Sequence, residues 1–237
     1  MKPVGIVRHS VTEGPGYFAM FLHRHNIPWT LIKIDAGEAV PCDADAFSGL
    51  GFMGGPMSVN DVLPWIVPVL ALIRQAVDAD VPVIGHCLGG QLMSRALGGV
   101  VSANAVKEIG WGRIDVMPGE HSRRWLGAQV SFESFHWHGE TFSIPPDAQL
   151  IASSRYCANQ MFSLGKHLAM QCHIEMTPEL ITAWCAEWDK EVQSLAQIQP
   201  SVQTPQQMLA GMAEKATALH HVADGIYTAW LRGVASI

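Results

Sequence analysis

Residues 81–97 read Val81-Pro-Val-Ile-Gly85-His-Cys87-Leu-Gly89-Gly-Gln91-Leu-Met-Ser-Arg-Ala-Leu97. A short apolar run of strand type meets Gly-x-Cys-x-Gly and passes directly into a helical stretch. This is the strand–turn–helix of a nucleophile elbow, with a thiol where the better-known Gly-x-Ser-x-Gly version carries a hydroxyl. The sharp turn holds Cys87 in a strained conformation and leaves no space for a β-carbon at Gly85 or Gly89. The helix beginning after Cys87 aims its free N–H groups and positive dipole end at the sulfur, which favours the thiolate.

Outward from the elbow, strand and helix patterns alternate. Val4–Val7 precedes an amphipathic stretch at about 17–25, and Thr30–Ile34 follows. Phe47–Met53, a helical run at about 64–78, and Val81–Ile84 come next. This rhythm predicts an α/β fold: a mostly parallel sheet with helices on both faces and Cys87 at the C-terminal end of a strand. Between 106 and 173 the pattern breaks into short strand-like runs (113–117, 150–153, 161–164, 168–172), which either extend the sheet or form antiparallel additions to it. A helix follows at about 178–196. The polar, proline-bearing stretch 197–206 reads as a linker. One further helix is predicted from about 205 to 231, with apolar positions at helical spacing from Met208 to Trp230. The organisation is therefore a domain over 1–196, then a linker and C-terminal helix over 197–237 that packs on the domain or extends it.

A nucleophilic cysteine needs a base, and the base an orienter. Eleven histidines make context decisive. The segment Leu168-Ala-Met-Gln-Cys-His-Ile-Glu175 is an apolar strand ending in His173-x-Glu175, and residues two apart in an extended chain project to one side. His173 can then face Cys87 while Glu175 fixes its tautomer. His86, next to the nucleophile, belongs to a rival pattern seen in other Cys-elbow proteins of protease or chaperone type, and is read here as filling the elbow. An oxyanion hole is offered by Phe52-Met-Gly-Gly-Pro-Met57, where bare backbone approaches a bound oxygen; the donors are the N–H groups of Gly55 and of Leu88, the residue after the nucleophile.

With these pieces in order, the chain resembles the class I glutamine amidotransferases, which use a Cys-His-Glu triad. The matching residues are Gly54-Gly55-Pro56, Gly85-His-Cys87-Leu-Gly89-Gly-Gln91 and His173-Ile-Glu175. Trp137-His138-Gly139-Glu140 stands where the family has Ser-His-x-Asp. The resemblance spans about residues 3–190. Ile174 replaces the proline that the family usually places between its His and Glu. The resemblance implies a flavodoxin-like amidotransferase domain and cleavage of a γ-glutamyl amide through a Cys87 thioester, releasing ammonia and glutamate. It also implies substrate contacts from Gly54, Gln91, Trp137 and His138. A γ-glutamyl peptidase acting on γ-glutamyl conjugates is the rival within this chemistry. A non-catalytic regulatory subunit is the rival outside it, against which the complete Cys87, His173 and Glu175 set argues.

Composition bounds the partners. The 237 residues are 49% hydrophobic and 15% charged, the balance of a folded chain with ample core. A net charge of −6 gives no electrostatic reason for nucleic acid or an anionic membrane. No apolar run approaches spanning length, and no leader is read at the N-terminus. Five cysteines without paired short spacing suit reduced thiols and a cytoplasmic setting. The pairs His136/His138 and His220/His221 lack a supporting Cys-x-x-Cys, so no metal is expected, and no cofactor. The expected ligand is glutamine or a γ-glutamyl small molecule. A separate synthetase or acceptor subunit and a homo-oligomer are both compatible with the chain.

Overall fold

In the computed structural model, which describes residues 2–234, the strands are β1 (Val4–Arg8), β2 (Trp29–Lys33), β3 (Gly49–Phe52), β4 (Val83–His86), β5 (Val101–Val116), β6 (Ser131–Phe142), β7 (Gln149–Ser154), β8 (Met161–Leu164) and β9 (His167–Met170). They form one sheet in the order β2-β1-β3-β4-β9-β8-β7-β5-β6. The first five in that order are parallel, from Val4↔Trp29 at one side to Ile84↔Leu168 at the other. The remaining four extend the sheet antiparallel. β1, β3, β4 and β9 are almost wholly buried, as a parallel core covered on both faces requires. The expected α/β architecture is therefore present, with an antiparallel wing added.

The helices are α1 (Gly16–Arg24), α2 (Ile66–Asp78), α3 (Leu88–Ala96), α4 (Glu120–Leu126), α5 (Pro178–Glu187), α6 (Asp189–Ala196), α7 (Pro205–Leu209) and α8 (Met212–Val234). One apolar layer places Val69, Leu72 and Ile73 of α2 and Leu92 and Met93 of α3 against Leu50, Phe52 and Val83. The other places Phe18 and Phe21 of α1, Ile181 of α5, and Leu219, Ile226, Tyr227 and Trp230 of α8 against Ile6, Ile84 and Leu168. α5 starts at Thr177, whose side chain accepts from Leu180 N, with Pro178 in its first turn.

Three differences from the sequence reading have physical causes. The strand-like run at 113–117 is the end of a 16-residue strand, β5, whose register with β6 is interrupted between Ala103 and Glu108. Its exposed polar positions on one face hide the strand from a search for apolar runs. The helix expected over 178–196 is two, α5 and α6, divided at Trp188, and the one expected over 205–231 divides at Gly211, whose φ of +65° is left-handed. The stretch before α7 is bonded to β5, with Ile109 N donating to Ser201 O at 3.0 Å and Gln203 N to Ile109 O at 3.0 Å.

Candidate active site

β4 delivers Cys87 to the edge of the sheet with φ 50° and ψ −108°, a left-hand-side φ that a side chain adopts only when its surroundings compel it. Two things compel it here. Cys87 N donates to Met170 O on β9 at 2.8 Å, fixing the turn to the neighbouring strand. The following helix then runs close over the sheet. A β-carbon on Gly89 would lie 2.0 Å from Phe52 O, and one on Gly85 would lie 2.6 Å from Gly89 O. Leu88 is the first residue of α3, so its N–H has no intrahelical acceptor.

β9 and the bridge that continues it carry the second group. His173 N donates to Phe135 O at 2.8 Å, which ties the end of this segment to β6. His173 Nδ1 lies 2.6 Å from Glu175 Oε1, and both side chains are buried. Burial alone would depress the imidazole pKa, but the Glu175 charge and the Cys87 sulfur outweigh it and hold His173 well above its usual value. Burial likewise pushes Glu175 up, and His173 and His86 pull it below the usual carboxylate range. Nε2 of His173 has no hydrogen-bond partner among the described residues. The Trp184 ring stands edge-on to the imidazole at 5.1 Å.

A cavity of about 330 Å³ opens at Cys87. Gly55, Gln91, Trp137 and His138 line it, together with Thr12, Glu13, Ser58, Lys107, Glu140, Trp184 and Trp188. Of the residues read from sequence, Cys87, Gly55, Gln91, Trp137 and His138 share this cavity, whereas His173, Glu175, Gly54 and Leu88 are not in its lining. The Leu88 side chain packs against Gly55, 2.7 Å from where a β-carbon there would sit. His86 faces away: it is fully buried, its Nε2 is 3.1 Å from Tyr227 Oη, and its ring packs on Phe18.

Several site residues escaped the sequence reading. Gln171 Nε2 donates toward Cys87 Sγ at 3.5 Å, while Gln91 Nε2 donates to Gln171 Oε1 at 3.1 Å. The period of two that links 173 to 175 also reaches 171, so this residue was within reach of the same argument. Glu108 takes hydrogen bonds from Ser154 and Gln160 and faces His138 Nε2 at 3.2 Å. Glu108, His136 and His138 form a buried set whose ligand-type atoms lie within 4.8 Å of one another. The cluster is tied into its surroundings, with Gln160 Nε2 3.4 Å from His136 Nδ1 and His138 Nδ1 donating to Glu140 O at 2.9 Å.

Comparison with known proteins bears on this geometry. Residues 22–183 match the family model described as Glutamine amidotransferase class-I. The chain belongs to that family. A solved structure, a glutamine amido transferase from Methylobacillus flagellatus, superposes with a TM-score of 0.96 at 42% identity, covering 98% of this chain and 95% of that one. The glutamine amidotransferase-like protein YfeJ of Salmonella typhimurium is 31% identical over 187 residues, 75% of this chain and 77% of YfeJ. Gamma-glutamyl peptidase 3 of Arabidopsis thaliana is 26% identical over 179 residues, 70% of this chain and 71% of the peptidase. Among the described residues, no helix is long and apolar enough to cross a membrane.

Proposed function

We propose that this amidotransferase cleaves γ-glutamyl amides by covalent catalysis from Cys87. The observation that carries the reading is the buried His173–Glu175 pair, 2.6 Å apart, whose elevated imidazole pKa draws on Cys87 as well as on Glu175. An imidazole that holds its proton beside the nucleophile can hand it to a leaving nitrogen. The sulfur attacks the γ-carbonyl carbon, and the N–H groups of Gly55 and Leu88 receive the oxyanion. As the C–N bond breaks, the proton on His173 Nε2 passes to the leaving nitrogen. Water then attacks the thioester, gives its proton back to His173 and frees glutamate. Gln171, donating toward the sulfur, steadies its charge. Gln91, Trp137 and His138 contact the glutamyl portion. Glutamine is the simplest substrate.

A second reading, hydrolysis of γ-glutamyl conjugates, is favoured by the size of the cavity. At about 330 Å³, with Trp184, Trp188 and Val192 in its lining besides Cys87, it has space for a leaving group larger than ammonia. A separate synthetase that takes the ammonia is compatible with the first reading. The test is a panel of glutamine and γ-glutamyl dipeptides scored for released glutamate. Turnover of glutamine alone supports the first reading and turnover of dipeptides the second. Release from neither, with Cys87 unreactive toward a glutamine-like electrophile, removes both.

A further inference from the structure

The loop between β1 and α1 places a carboxyl group where the mechanism above has no use for one. A β-carbon built on Gly54 would lie 1.9 Å from Glu13 Oε2 and 3.3 Å from His173 Cε1, so the carboxylate and the imidazole edge flank the same point. The glycine at 54 is what lets Glu13 reach this position. The loop is held there: Trp184 Nε1 donates to Thr12 O at 2.8 Å, Glu13 N to Ser10 O at 3.1 Å, and Tyr17 N to Glu175 O at 2.8 Å. Glu13 lines the cavity with Cys87. The other cavity acids are engaged, Glu140 by Ser58 at 2.8 Å and Glu191 by Lys107 at 2.8 Å. Among the described residues, Glu13 forms no hydrogen bond or ion pair through its side chain, and Lys107 is the sole lysine or arginine lining the cavity.

We propose that Glu13 is the contact for the leaving amine, accepting a hydrogen bond from the departing nitrogen beside His173, and that it selects γ-glutamyl amides whose amine part carries no carboxylate. The inference rests on the cleavage reading above and narrows its substrate class. The leaving nitrogen has to lie near His173 Nε2 to take its proton, and Glu13 sits against that ring. An N–H bond on the nitrogen then has an anionic acceptor, which helps the C–N bond to break while the electron pair stays on nitrogen. A γ-glutamyl amino acid instead brings its own carboxylate to within two bonds of that nitrogen. Two like charges meet there in a pocket whose one lysine is already paired, and like charges at such range are costly.

Burial raises Glu13 to about 7, with His173 lowering it and Glu175 raising it further. Selection against anionic leaving groups therefore strengthens as pH rises through that value. The groups facing the site from the surrounding elements are Cys87 before α3, His173 and Glu175 beyond β9, His138 and Glu140 on β6, Lys107 on β5 and Glu191 on α6.

The test compares γ-glutamylglycine with γ-glutamylglycinamide, two amides of nearly equal shape that differ by one charge. The wild-type protein is expected to show kcat/KM at least about tenfold higher for the glycinamide at pH 8, with the ratio shrinking toward pH 6. In Glu13→Gln, the ratio falls toward one and no longer depends on pH. Thermal melting and Cys87 alkylation check that the variant is folded with its nucleophile intact. A wild-type ratio near one, a ratio unchanged in Glu13→Gln, or cleavage of glutamine but of neither dipeptide substrate overturns the inference and leaves the cleavage reading standing. Cleavage of no γ-glutamyl amide overturns both.

Discussion

The environments of the five cysteines differ enough to separate one from the rest. Cys157, Cys172 and Cys185 are buried and their thiols are raised by desolvation, Cys172 to about 12 and Cys185 to about 11; Cys42 is exposed on a surface away from the cavity. Cys87 alone occupies an elbow. Cys87→Ala is expected to lower γ-glutamyl cleavage by roughly 10³-fold or more, and alanine at each other position to retain activity. A glutamine-like electrophile adds one label per chain at Cys87, read by peptide mass mapping; labelling elsewhere with Cys87 untouched would contradict the assignment. His173→Ala is expected to cost about 10⁴-fold, and Glu175→Gln less, because the imidazole can still shuttle protons when poorly oriented. If His86→Ala proved more damaging than His173→Ala, the relay would run through the wrong histidine. Cys87, His173 and Glu175 were legible because each sits in a short pattern with its own logic: an elbow, a strand end and a period of two. Glu13 and Trp184 were not. Their meeting at the site depends on a hydrogen bond between residues 172 apart in sequence, Trp184 to Thr12, which no local pattern encodes.

Among the elements, the parallel core could be read because its strands are short apolar runs between helices of clear period. The wing was legible only as short runs that could extend the sheet or add to it antiparallel; its strand lengths and pairing were not, since β5 buries few of its residues over its first half and its partner β6 follows only after α4. Trp137 and His138 therefore belong to a strand, and it is the strand pairing Ile109↔Trp137 and Glu108↔His138 that holds them at the cavity. The elements also explain how the loop before α1 is controlled. Trp184 on α5 stands edge-on to both His173 and Trp137, at 5.1 and 5.6 Å, while its indole N–H secures the loop at Thr12. Trp184→Phe keeps an aromatic ring in that space and removes the donor. The lost hydrogen bond is worth about 1 kcal/mol, or roughly fivefold in binding. The expected result is a several-fold rise in KM with a smaller change in kcat, and faster amide hydrogen exchange across residues 9–15. Unchanged exchange in that loop would show that α5 does not control it.

Across the whole molecule, the burial of neutral histidines sets how the fold meets acid. His9, His136 and His167 are each depressed from about 6.5 to about 4, in every case chiefly by burial. As the pH falls from 6.5 toward 4, the unfolded chain gains a proton at each while the native chain does not, so stability is lost on acidification. Each group contributes up to about 1.4 kcal/mol per pH unit within that window. Glu13, raised to about 7 and open to the cavity, acts in the opposite sense, because the native state protonates first as pH falls from 7. His173, held above its usual value, leaves this window alone: its contribution is complete below 6.5 and declines only at higher pH. His86, lowered by the same burial, adds to these three, so the depressed histidines outweigh Glu13, and the melting temperature is expected to fall steeply between pH 6.5 and 4. His167 isolates the effect. It is far from the cavity, on β9, with Nδ1 accepting from Val83 N at 3.2 Å, a role that a glutamine side-chain oxygen can take over without titrating. His167→Gln is therefore expected to flatten the melting profile over this range while leaving the pH 8 value within a few degrees. An equally steep profile in His167→Gln would mean that this histidine is already protonated in the native state and that the acid sensitivity lies elsewhere.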